Sequence, residues 1–316
     1  MKGKSRYLHL TRLIVFFTLF APTWSHFSAF AQSALPRSCN EHQDQLHKMT
    51  IAKFGQRPFP RLINTGVAEI TKSGEKHLGE LAFGPEYQWK IPFHFYHAKH
   101  SKNTLPRQPT PLLFIFPGIS GESVLDRHAA HYFVRHGYSV VIAHYFDQKA
   151  QDTFNEIPQR LSEGMYANLA LVDYFSKLPG IDSNRVVTLG VSFGGIRALY
   201  HSLVDTRIKA SILLVTGPLP DVMAYSDMDG MDEMRQNHMD QIGIFSLKQY
   251  RDAVEQHMRF RVPDWSCRRS PADYSMYISQ KDTFVPTRSQ WDLYELLGSP
   301  NHVRTSNMGH VKSSVW

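Results

Sequence analysis

Arg185-Val-Val-Thr-Leu-Gly190-Val-Ser192-Phe-Gly194-Gly195-Ile-Arg-Ala-Leu-Tyr200 joins an apolar run to a run with helical spacing, and Ser192 stands at the join. The pattern is G-x-S-x-G between a strand and a helix. A serine there occupies a strained turn with its hydroxyl projecting, and the glycines at 190 and 194 relieve the crowding that a Cβ would cause. A serine hydroxyl is a poor nucleophile near neutral pH, so such a residue needs a base, and the base needs a group to hold its tautomer.

Outward from this stretch, continuous apolar runs alternate with amphipathic segments. The runs are Leu112–Phe116, Tyr138–Ala143, Arg185–Gly190, Ala210–Thr216 and Tyr274–Ile278, and the helical segments lie near 123–136, 158–178, 193–204 and 287–297. Strands apolar on both faces that alternate with helices predict a parallel sheet covered on both sides, hence an open α/β fold. Before them, Tyr87–His97 alternates only in part and contains Pro92, which fits a half-solvated edge strand. Residues 32–65 are polar and lack a period, as an N-terminal arm would. Residues 66–316 then form the main domain. An insertion at about 218–265, rich in methionine, interrupts the alternation and is expected to form a cap over the strand ends, helical from Leu247 to Arg259.

The first 31 residues read as a secretory leader. Lys2, Lys4, Arg6 and Arg12 precede the apolar run Leu13–Ala21, and Ala29-Phe30-Ala31 is a small-x-small cleavage site. Nine apolar residues stopped by Pro22 are too few to span a bilayer, which needs about 20. The mature chain is therefore expected to begin at Gln32, to be exported to the periplasm or outside the cell, and to have no membrane association after cleavage. Of the 316 residues, 42% are hydrophobic and 20% charged, ordinary for a chain with a sizeable core. The net charge of +7 falls to +3 once the four leader cations are removed, which argues against a nucleic-acid partner. Cys39 and Cys267 are an even pair in a compartment that permits disulfides, so they either bridge the arm to the body or are two buried thiols.

For the base and its orienting group, His310 follows His302–Ser306, which reads as the last strand, and Asp282 follows the run 274–278. Asp221, after the preceding run, competes with Asp282. Each member of Ser192, Asp282, His310 ends a different strand, in the chain order of one class of serine hydrolases. On these residues the chain from about 87 to 316 resembles the α/β-hydrolase superfamily, especially its dienelactone-hydrolase-like and prolyl-oligopeptidase-like branches. Gly190–Gly195 looks like the nucleophile elbow, Lys281–Pro286 like the D-x-x-V-P acid loop, and Gly309-His310 like the histidine loop. The resemblance implies hydrolysis of esters or amides without a cofactor. It also implies an oxyanion hole built from the Phe193 amide and a second donor in Phe116–Gly121, at Ile119 or Gly118; Pro117 stands where many relatives carry histidine.

The function expected is that of an exported serine hydrolase acting on a small carboxylic ester, with a peptide or amide substrate, or a non-catalytic binding module, as alternatives. Other groupings are weaker. His94, His97 and His100 recur at a spacing of three, which on a strand sends neighbours to opposite faces and argues against a shared metal. His128 and His131 lack a third ligand, and Asp227-Met-Asp229-Gly230 lacks the later ligands of a calcium loop. From Asp221 to Asp240 six acids and five methionines accompany one base, Arg235, suggesting an adaptable apolar cap surface with negative charge. The chain ends at Trp316, six residues beyond His310, where the family usually continues into a helix. The face so left is expected to be bare, or covered by the arm or by a second copy in a homodimer.

Overall fold

Buried on both sides, the strand run Leu112–Phe116 divides its side chains between two cores: Leu112, Phe114 and Phe116 enter one apolar cluster, Leu113 and Ile115 the other. That division requires a sheet covered on both faces. The computed structural model describes residues 60–70, 74–87, 89–98, 109–144, 153–258, 261–265 and 269–310. In chain order its strands are β1 (Arg61–Ile70), β2 (Gly74–Phe83), β3 (Trp89–Ala98), β4 (Thr110–Phe116), β5 (Ser139–Ala143), β6 (Ile181–Val191), β7 (Ile208–Leu214), β8 (Tyr274–Ser279) and β9 (His302–Ser306). The helices are α1 (Val124–Arg135), α2 (Ile157–Phe175), α3 (Phe193–Val204), α4 (Leu219–Tyr225), α5 (Met231–Ile242), α6 (Leu247–His257), α7 (Val262–Trp265) and α8 (Thr287–Leu296).

The sheet order is β1-β2-β3-β5-β4-β6-β7-β8-β9. The first three strands run antiparallel to their neighbours, and from β5 onward every pairing is parallel. On one face α1 packs its buried Ala129, Ala130, Phe133 and Val134 with Leu113 and Val140. On the other, Leu171 and Phe175 of α2 and Ile196 and Leu199 of α3 share a core with Phe114. The expected α/β architecture is what the chain adopts. Four helices, α4 to α7, fall between β7 and β8 in the interval expected for the cap, two of them before the expected Leu247 start.

Two expectations are corrected. The segment expected at an edge is third in the sheet: β3 pairs with β2 along its whole length and with β5 over Phe93–Tyr96. Pro92 is tolerated because it lies where the β5 ladder ends; its carbonyl accepts from the His144 N–H (3.2 Å), and its missing donor faces the same side. The edge is instead β1, which begins at Arg61 inside the stretch assigned to the arm. The leader, residues 32–59 of the arm, Cys39, Cys267, His100 and residues 311–316 lie outside the described residues. Among the described residues no helix is long and apolar enough to cross a membrane.

Candidate active site

β6 delivers Ser192 to the carboxyl edge of the sheet, and α3 begins at the next residue. The serine has φ 57° and ψ −123°, a backbone conformation that residues with a Cβ rarely adopt. Main-chain contacts hold it there. Its N–H donates to the Leu214 carbonyl (2.8 Å), and its carbonyl accepts from Gly195 N–H (2.9 Å) and Thr216 Oγ1 (3.0 Å). A Cβ at Gly190 would fall on the Gly194 carbonyl, and one at Gly194 on the Phe116 carbonyl. Both glycines are therefore required by backbone approaching backbone, as the motif implied.

Asp282 and His310 are brought together. His310 Nδ1 lies 2.7 Å from Asp282 Oδ2, and the side chains are 11% and 0% exposed. Two loops make this pair. The Gln280 and Lys281 amides donate to the Ser306 and Met308 carbonyls, and Ser279 Oγ bonds the Met308 carbonyl, so the turns after β8 and β9 lie side by side. Four donors converge on the carboxylate: Phe284 and Val285 N–H on Oδ1 (3.0 Å each), and Gln290 Nε2 (3.0 Å) and His310 on Oδ2. Asp221, the competing orienter, is engaged in the cap instead, accepting from Arg251 Nε at 2.8 Å. Gln290 is beyond the reach of sequence reasoning, because a glutamine on the helix after an acid loop carries no distinguishing signal.

Ser192, Phe193 and Ile119 line one cavity of about 580 Å³. Phe193 is the first residue of α3, so its N–H is among the amides that a helix leaves without an intrahelical acceptor. Ile119 is half exposed on the turn closed by Gly121 N–H donating to the Gly118 carbonyl (3.0 Å). Gly118 itself is not in the cavity wall. Neither are Asp282 and His310, and among the described residues no hydrogen bond joins Ser192 Oγ to His310. Phe284 connects the two regions: it lines the cavity and its ring centre stands 5.3 Å from that of His310.

The cap supplies much of the remaining wall, including Met223, Met228, Met231 and Met234. Its expected negative charge does not reach the cavity. Among the described residues no acid lines it; Asp221 is paired with Arg251, and Asp232 with the buried Arg235, whose guanidinium also holds the Met223 and Ser226 carbonyls. The polar groups that do line it include Arg160, Ser226 and His238, the last buried with Nδ1 2.8 Å from the Tyr250 hydroxyl.

Beside the Ile119 turn lies a grouping that sequence spacing did not suggest. His94 of β3, Glu122 at the end of the turn and His144 after β5 meet, with His94 Nδ1 and His144 Nε2 at 2.5 and 3.3 Å from Glu122 Oε2. Burial pushes His144 down to about 4, with His94 acting in the same direction and Glu122 against it. Burial also works to raise Glu122, but His94 against it and the nearby His144 hold its carboxyl below the usual range. His97 is turned away, its Nδ1 3.3 Å from Ser139 Oγ.

No family model and no curated protein sequence matches the chain. Solved structures do. An acetyl xylan esterase from Paenibacillus sp. R4 superposes with a TM-score of 0.66 at 15% identity, over 89% of this chain and 91% of its own. Acetyl xylan esterase 1 from Thermoanaerobacterium sp. JW/SL YS485 gives 0.63 at 14% identity, over 87% and 89%. A cold-adapted esterase from an Arctic intertidal metagenomic library gives 0.50 at 15%, over 78% and 91%. With a strained serine between β6 and α3 at the carboxyl edge of a largely parallel nine-stranded sheet, these likenesses place the chain in the α/β-hydrolase fold.

Proposed function

We propose that this chain is an exported serine hydrolase that cleaves a carboxylic ester, with Ser192 as nucleophile, His310 as its base and Asp282 as the group that orients the base. The observation that carries the reading is the part-buried 2.7 Å contact between His310 Nδ1 and Asp282, held by a carboxylate with three further donors. That contact keeps the Nδ1 proton in place and leaves Nε2 to accept a proton from Ser192 Oγ. The serine then adds to the ester carbonyl, and the Phe193 and Ile119 amides receive the developing oxyanion. The alkoxide leaves with the proton carried by His310; water, deprotonated by the same nitrogen, cleaves the acyl-enzyme and restores the serine.

The neighbours named as esterases support an ester over an amide, and the methionine-lined wall supports an apolar acyl or aryl part. Export rests on the leader-like residues 1–31. The test is to treat purified protein with a fluorophosphonate probe and locate the adduct by mass spectrometry, with Ser192→Ala and His310→Ala as controls. Labelling at Ser192 that is lost in both variants is expected, together with turnover of nitrophenyl esters. Folded protein that neither labels nor turns over esters overturns the reading.

A further inference from the structure

The meeting of His94, Glu122 and His144 is unexplained by hydrolysis. Their ligand atoms lie within 4.8 Å of one another and all three are buried; His94 Nδ1 and His144 Nε2 crowd onto one carboxylate oxygen, Glu122 Oε2, as ion-pair contacts without the geometry of an ordinary hydrogen bond. Buried polar atoms that lack a well-formed hydrogen bond are uncommon, and three donors aimed at one point suit a shared cation. Two imidazole nitrogens and a carboxylate oxygen are the donor set of borderline divalent ions, zinc above all. An ion bound at about 2.1 Å to each donor in a tetrahedral arrangement holds the donors about 3.4 Å apart. His144 Nε2 and Glu122 Oε2 are already at 3.3 Å, and His94 needs to withdraw from 2.5 Å by less than about 1 Å.

The donors come from rigid places. His94 lies on β3 opposite Ile142 of β5, and His144 directly follows β5. The two rings meet edge to face, their centres 4.4 Å apart. Arg197 of α3 holds the Ala143 and His144 carbonyls (3.2 and 3.4 Å). Glu122 is fixed from the other side: Arg127 donates to its Oε1 (3.3 Å), and Ser123 caps α1 by exchanging bonds with Asp126. Its side chain is 8% exposed, so Oε2 is left facing the two imidazoles.

We propose that His94, Glu122 and His144 form a three-ligand site for a zinc-class divalent cation, which ties the turn carrying Ile119 to strands β3 and β5. A water completes the coordination of the proposed ion. The ion stiffens the turn that presents one oxyanion donor and takes no part in attack on the substrate, so the site stands or falls separately from the hydrolase reading.

The test uses full-length protein stripped with a chelator and titrated with zinc, with bound metal counted by elemental mass spectrometry after gel filtration. One equivalent is expected, with a metal-dependent rise in melting temperature. Cobalt substitution is expected to give the visible bands of a four- or five-coordinate ion. His94→Gln and His144→Gln should each weaken zinc binding by at least about 100-fold, more than removal of an outer-shell partner typically does. His128→Gln, an exposed histidine on α1, should leave it unchanged. Wild-type protein that takes up no stoichiometric zinc overturns the proposal whatever the variants do. Equal affinity in His94→Gln and His144→Gln also overturns it, by assigning the ion to other histidines of the 17 in the chain.

Discussion

Replacing Asp282 by Asn tests the candidate site where its hydrogen bonding is most constrained. Gln290 cannot adapt: its Oε1 accepts from the Ser279 N–H (2.9 Å), and its Nε2 donates to the Val285 carbonyl (2.7 Å) as well as to Asp282. The Phe284 and Val285 amides fix the asparagine oxygen on their own side, so its NH2 must face Gln290 Nε2 and His310 Nδ1. One donor of Gln290 then loses its acceptor in a buried place, which costs about 1–3 kcal/mol of stability. His310 can satisfy the new donor only by accepting at Nδ1, which moves its proton to Nε2 and leaves no lone pair for the serine. The expected loss in kcat is about 10⁴-fold, the size of effect known for the equivalent change in serine proteases. The assay is steady-state hydrolysis of a short nitrophenyl ester, paired with a melting curve to show that the variant is folded. A folded Asp282→Asn protein within tenfold of the wild-type kcat would refute the claim that Asp282 sets the tautomer of His310.

Other outcomes follow from the same geometry. Gly194→Ala must displace either α3 or the end of β4; a loss of about 3 kcal/mol in chemical denaturation, with loss of fluorophosphonate labelling, is expected, and an unchanged midpoint would contradict the close approach. Met234→Ala lengthens the cavity, so kcat/KM along a series of acyl chains should shift toward longer esters by about fourfold for each additional methylene accommodated; an unmoved preference would place the acyl group elsewhere. Asp205 is buried, which by itself raises its pKa, but the His201 imidazole and the Arg207 fork hold it far below the usual carboxylate range. A depressed folded-state value means stability that is present above the unfolded value of about 3.9 and is lost as pH falls below it. Asp205→Asn should therefore cost about 2–3 kcal/mol at pH 7, the partly exposed Arg207 keeping the figure low, and its deficit should narrow below about pH 4; a deficit constant with pH would exclude this linkage.

Strands buried on both faces were legible because their apolar runs have no other way to be satisfied, and the Ser192 turn because its glycines leave a sharp signature. The β1–β2 hairpin was not legible. Its register shifts between Leu62 and Asn64 and again between Val67 and Glu69, which breaks the two-residue period, and Ile63 and Val67 stand 46% and 54% exposed. Without that hairpin, the sequence leaves β3 as the outermost strand. The meeting of His94, Glu122 and His144 was hidden for a different reason. It depends on β5 inserting between β3 and β4, a non-sequential order that brings together residues 22 to 50 positions apart. Gln290 shows the same limit at short range, since its role comes from an amide locked between Ser279 and Val285.

The glycine contacts around Ser192 bear on how such a protein can diversify. Its position is set by main chain resting on main chain, at Gly190, Gly194 and Phe116, and by hydrogen bonds to the carbonyl and amide of its own peptide units. The cavity wall opposite is made largely of cap side chains from another part of the chain. Mutations that reshape the wall therefore have little leverage on the nucleophile. Substrate range and chemical competence are set by nearly separate groups of residues, and the first can drift while the second is inherited intact.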